Sequence, residues 1–182
     1  MIKTTVVFTA LALLSSVVPA LAQQAQAPAP ASTLPGGASS LQETYQDWQV
    51  ACEQQDTGKR CAMLQQQSQQ SGQRILAIQL VADAGGKAAT GTLVLPFGLA
   101  LEAGVTLQID DAAAQQPLRF NTCLPAGCVV PLTFAEGTLT ALRGGTALKV
   151  NATASGTNQP VALSVSLKGF SAALDRTIAL AH

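Results

Sequence analysis

The stretch Asp47-Trp48-Gln49-Val50-Ala51-Cys52-Glu53 sets the fold. In an extended chain, successive side chains point to opposite faces, so Trp48, Val50 and Cys52 share one side. Gln49, Ala51 and Glu53 take the other. This is the period of a half-buried strand, and helical spacing would scatter the three apolar residues. The pattern recurs along the chain. Arg74 to Val81 is apolar on both sides, as expected for a strand in the middle of a packed sheet. Gly91–Leu95, Val105–Ile109, Cys128–Phe134, Thr138–Leu142, Ala147–Val150 and Val161–Leu167 are further candidates. In the last, Val161, Leu163, Val165 and Leu167 alternate with Ala162, Ser164 and Ser166. Turn residues separate these segments: Asp83-Ala84-Gly85-Gly86, Pro96-Phe97-Gly98, Glu136-Gly137, Gly144-Gly145 and Ser155-Gly156. Short strands punctuated in this way predict an all-β sandwich or barrel.

The C-terminal segment changes period. Phe170, Leu174 and Ile178 stand four residues apart, with Ser171 available as an N-cap after Gly169. A short α-helix laid on the core is expected, because a membrane-surface helix would carry more basic residues than Arg176 alone.

The four cysteines form two local pairs, Cys52 with Cys61 and Cys123 with Cys128. Four cysteines permit three pairings, and spacing does not choose among them; nearest-neighbour pairing is the simplest. Each small loop so closed would contribute about 2–3 kcal/mol by the chain-entropy model. A redox centre would show Cys-x-x-Cys, and a zinc site would need four ligands at such spacings. His182, the single histidine, is the final residue. Neither reading fits, and the cysteines are expected to be structural.

The N-terminus opens with Lys3, the apolar run Val6–Leu14 and then Pro19-Ala20-Leu21-Ala22. That order predicts a secretory signal peptide over residues 1–22, with Gln23 as the first mature residue. An oxidising compartment suits the cysteines, so the periplasm, or a location at the outer membrane or outside the cell, is expected. No later run is apolar enough to span a bilayer. Residues 23–40, QQAQAPAPASTLPGGASS, offer little that can pack and predict a disordered spacer. Residues 41–182, about 140 in all, suit a single domain.

Ten basic and ten acidic residues balance, which argues against a nucleic-acid partner. Only 11% of the chain is charged and 4% is aromatic, so composition locates no cluster of binding hot spots. A serine nucleophile would need a base that the single terminal histidine does not supply. Asp110 and Asp111 are adjacent and would point to opposite faces of a strand, so they do not flank one bond; they are expected to end a strand and begin a turn. They also bring too few oxygens for calcium. Trp48 is expected in the core beside a disulfide, and the Gln65–Ser71 segment at a solvated hairpin end. No catalytic, cofactor-binding or metal-ligating residue emerges.

Four segments, in order, resemble the invasion-associated locus B family of exported bacterial proteins. They are Asp47–Cys52; Pro96-Phe97-Gly98 with Leu101, Gly104 and Ile109-Asp110; Phe120–Cys128; and Ser166–Leu174. The resemblance implies an exported, disulfide-containing, immunoglobulin-like β-sandwich at the periplasm or outer membrane. It brings no catalytic residues with it. The family's name refers to host-cell invasion, which by itself assigns no role to this chain.

The function expected is non-enzymatic: a binding or structural module of the cell envelope, with an envelope protein or polymer as partner. Exposed strand edges would offer a docking surface. Two other readings compete, a surface adhesin or invasion factor, and an envelope-polymer hydrolase using scattered carboxylates. Carboxylate pKa values raised within one cleft would favour the hydrolase. A flat apolar patch or an unpaired strand edge would favour the binding module.

Overall fold

Trp48, Val50 and Cys52 are all buried, while Gln49, Ala51 and Glu53 face away from them. The computed structural model describes residues 34–56 and 58–181. The signal peptide expected over residues 1–22 and the start of the spacer lie outside that range. Leu34, within the expected spacer, is 1% exposed and belongs to the core, so the packed structure begins before residue 41.

Five strands follow in a meander: β1 Ser40–Tyr45, β2 Trp48–Gln55, β3 Gly58–Ser68, β4 Arg74–Ala82 and β5 Ala88–Leu95. With β7 (Thr122–Leu124) and β8 (Gly127–Ala135) they make a seven-stranded antiparallel sheet in the order β1-β2-β3-β4-β5-β8-β7. The middle strand of the seven is β4, as its apolar character on both faces requires. A second antiparallel sheet holds β6 (Thr106–Ile109), β9 (Ala147–Thr153) and β10 (Pro160–Ser166), in the order β10-β9-β6. The expected all-β sandwich with a C-terminal helix thus forms. One core takes Trp48, Met63, Ile78, Leu93 and Val130 from the large sheet and Leu107, Leu148, Val150 and Val165 from the small one.

Two helices complete that core. The C-terminal one, α2 (Phe170–Leu180), buries Phe170 and Leu174 and half-buries Ile178, the expected stripe. Its start differs from expectation. Gly169, in the left-handed region at φ +84°, is the N-cap, and the Ser171 hydroxyl instead donates to the Arg143 carbonyl. A side chain at Gly169 would collide with the Tyr45 carbonyl, so this position needs glycine for its conformation and its close approach.

The other helix, α1 (Glu136–Gly144), replaces the strand expected at Thr138–Leu142. Leu139 and Leu142 are both buried. Three residues apart, they would lie on opposite faces of a strand but share one face of a helix. Glu136 in the first turn and Arg143 in the last complement the helix dipole. Burial of that leucine pair overrides the β-branched Thr138 and Thr140.

The free edge of β10 is closed by side chains. Gln65 on β3 is 5% exposed; its Nε2 donates to the Ser166 carbonyl and its Oε1 accepts from the Ser166 amide. Gln67 Nε2 donates to the Ser164 carbonyl. The glutamine run is thus only partly the solvated hairpin end expected of it. Gln65 and Gln67 share the inward side of β3, where an amide can satisfy both a donor and an acceptor of an unpaired strand, while Gln66 is exposed. The free edge of β6 is covered by the following loop, through paired Val105–Leu118 backbone bonds and the Gln115 amide donating to the Leu107 carbonyl.

Candidate functional site

The cysteines sit at directly opposed positions of two hairpins, Cys52 against Cys61 in β2–β3 and Cys123 against Cys128 in β7–β8. Their Cα atoms are 4.1 and 3.9 Å apart. Such spacing is near the roughly 4.5 Å of a non-hydrogen-bonded antiparallel pair, where side chains meet. Both pairs are disulfide-bonded, in the nearest-neighbour arrangement, and no described cysteine is free. Trp48 is fully buried on β2, the strand that carries Cys52. Its indole N–H donates to the Ser166 carbonyl at 2.8 Å, and its ring meets Phe170 edge-on with centroids 5.2 Å apart.

The carboxylates hold structure. Asp110 follows β6 at φ +46° and accepts from the Thr146 and Ala147 amides. Asp111 is almost fully exposed and pairs with Lys149, whose ammonium lowers its pKa. Glu43 on β1 receives a bidentate pair from Arg176 on α2, at 2.7 and 2.8 Å, and the Tyr45 hydroxyl donates to the same carboxylate. The Arg176 guanidinium first, and the Tyr45 hydroxyl second, hold Glu43 below its ordinary value of 4.5. Both shifts run toward permanent ionisation, opposite to what a general acid requires. Among the described residues, no group of three or more His, Cys, Asp or Glu side chains could hold a metal ion.

The Glu43 arrangement carries a pH prediction. A carboxylate whose folded pKa is lowered adds stability that is fully present above its unfolded value and is lost as pH falls through the folded one. Stability is therefore expected to decline from about pH 4.5 downward in part because of Glu43. In Glu43→Gln that part of the acid limb should flatten, measured by urea unfolding across pH. An unchanged acid slope would show that the pair contributes nothing, as exposed pairs often do.

A different character marks one end of the large sheet. Among the described residues, the large apolar side chains left exposed are Phe97 (62%), Leu101 (43%) and Leu124 (52%). All three belong to this end. Leu95 pairs with Cys128, so the Pro96-Phe97-Gly98 turn emerges beside the Leu124–Gly127 turn. Phe97, Pro125, Ala126, Gly127 and Arg74 are among the residues lining a cleft of about 370 Å³. A second, of about 230 Å³, lies between Leu101 and the Arg119–Thr122 segment. Arg74 and Arg119 form no ion pair among the described residues. The second disulfide fixes the loop carrying Leu124. Composition gave no sign of this cluster; the available signal was a phenylalanine inside a Pro-x-Gly turn, where core residues are rare.

The family model for the invasion associated locus B (IalB) protein matches residues 48–177, from the buried tryptophan to the last turns of α2. The chain belongs to the invasion-associated locus B family. Among its relatives is an invasion protein B homologue of Brucella abortus strain 2308, 52% identical over 151 residues, covering 82% of this chain and 86% of the relative. Invasion protein B of Bartonella bacilliformis is 39% identical over 151 residues, covering 82% and 81%. The crystal structure of invasion associated protein b from Bartonella henselae superimposes with a TM-score of 0.73 at 38% identity, covering 78% of this chain and 97% of that one. Phe97, Leu101 and Leu124 all lie inside the stretch matched by the family model.

Proposed function

We propose that this member of the invasion-associated locus B family is an exported, non-enzymatic binding module of the cell envelope that docks an envelope protein or polymer through the Phe97–Leu124 end. One observation carries the reading: the exposed large apolar side chains of the described fold gather at one end instead of scattering. Isolated surface leucines are ordinary, whereas a shared apolar end flanked by unpaired arginines matches the composition of contact surfaces. The downward pKa shifts of Glu43 and Asp111 weigh against the hydrolase reading. The test is crosslinking in intact cells, followed by identification of what is attached. Recovery of one recurrent envelope component supports the proposal; a turnover activity on envelope polymer by the purified chain would overturn it.

A second reading follows from the names of the relatives, which are called invasion proteins. In that reading the same end faces outward and contacts a host surface. Labelling of intact cells with a non-permeant reagent separates the two: modification places the chain outside the cell, and protection keeps it within the envelope.

A further inference from the structure

The two disulfides are alike in register and differ in access. Cys52 is 1% exposed and Cys61 5%, and the Leu180 carbonyl at the end of α2 lies 3.6 Å from Cys61 Sγ. That bond is roofed by the C-terminal helix. The other is open on one side. Cys123 is exposed, as are Thr122 and Leu124 on either side of it, and among the described residues their strand β7 is the last of the large sheet. Cys128, by contrast, is 2% exposed. Thiol–disulfide exchange requires an attacking thiolate to reach one sulfur, while the other need only depart. An exposed cysteine joined to a buried one therefore sets the direction of attack.

We propose that Cys123–Cys128 is a site of thiol–disulfide exchange for an external dithiol, with Cys123 the sulfur attacked and Cys52–Cys61 left intact. A thiolate of the dithiol bonds to Cys123 Sγ, the Cys123–Cys128 bond breaks, and Cys128 leaves with the electron pair and takes a proton. The second thiol of the reagent then attacks the mixed disulfide and releases Cys123 as a thiol. Two electrons pass from the dithiol, which ends as a disulfide, to the protein, which ends with two thiols. The cysteines are thus substrate and not catalyst, which agrees with their lack of Cys-x-x-Cys spacing.

Position gives the exchange a consequence. The β7–β8 hairpin has three paired positions, and the Asn121 amide adds one bond to the Val129 carbonyl. Reduction removes its covalent closure and frees the turn that carries Leu124 and Pro125. Two of the cleft's walls, Pro125 and Ala126, are in that turn. Redox state would therefore set how firmly the apolar end is shaped, whichever partner it meets.

The test needs no partner. The native full-length chain is treated at neutral pH with dithiothreitol, or with glutathione as a monothiol, quenched by alkylation, and mapped by peptide mass. Circular dichroism verifies that the fold persists. Cys123–Cys128 is expected to open at least about 100-fold faster than Cys52–Cys61, since access and not bond type separates them. The first glutathione adduct is expected on Cys123. Equal opening rates, earlier opening of Cys52–Cys61, or a first adduct on Cys128 would overturn the proposal.

Discussion

Trp48→Ala is expected to lower the unfolding free energy by about 3–5 kcal/mol, the range for removing a large buried aromatic. Three losses combine at this residue. The side chain is fully buried, so its transfer free energy is lost and a cavity opens in close-packed surroundings. Its edge-on contact with Phe170 also disappears, and with it one of the contacts that seat α2 on β2. The indole N–H no longer reaches the Ser166 carbonyl, although that oxygen keeps its bond from Gln65. A domain of this size has about 5–15 kcal/mol in total, so the variant should sit near the threshold of folding. Trp48→Phe should recover part of the loss by refilling space without the hydrogen bond. Trp48 is the sole tryptophan, so unfolding in urea must be followed by circular dichroism and not by fluorescence. A loss below about 1 kcal/mol for Trp48→Ala, in the range of surface substitutions, would mean that the residue is not the centre of the core.

The second large effect concerns binding. Phe97→Asp combined with Leu124→Asp should weaken the captured partner at least about 30-fold, equivalent to roughly 2 kcal/mol, the scale of a hot-spot loss. Both side chains are more than half exposed, so stability should change by no more than about 0.5 kcal/mol per site. That contrast distinguishes a contact residue from a structural one. Titration of the double variant against the partner, alongside its melting curve, supplies both numbers. Unchanged affinity with an intact fold would remove these residues from the contact surface.

How much of this was legible in the sequence follows from what each residue has to satisfy. Period-two runs such as Trp48–Cys52 and Val161–Leu167 show their strands directly, because burial on one face leaves a two-residue rhythm. The helix α1 escaped because Thr138 and Thr140 suggest a strand locally, while the deciding fact, joint burial of Leu139 and Leu142, is tertiary. Strand β7 is three residues long and exposed throughout, so no alternation could mark it. Gln65 looked like solvent-facing sequence because its partners, the backbone atoms of Ser166, are about a hundred residues away. The apolar end was hidden for a related reason. Phe97 and Leu101 follow β5 while Leu124 lies in the β7–β8 hairpin, and only the pairing of β5 with β8 brings the two segments together. The cysteines revealed their spacing but not their unequal access, which depends on where α2 ends.

Docking through the Phe97–Leu124 end is measurable in the cell. It is tested most directly by placing a photocrosslinking amino acid at Phe97 and, in a second strain, at Thr133 on the exposed face of β8, and irradiating intact cells. A discrete adduct is expected from position 97 and none from position 133. Adducts from position 133 with none from position 97 would contradict it.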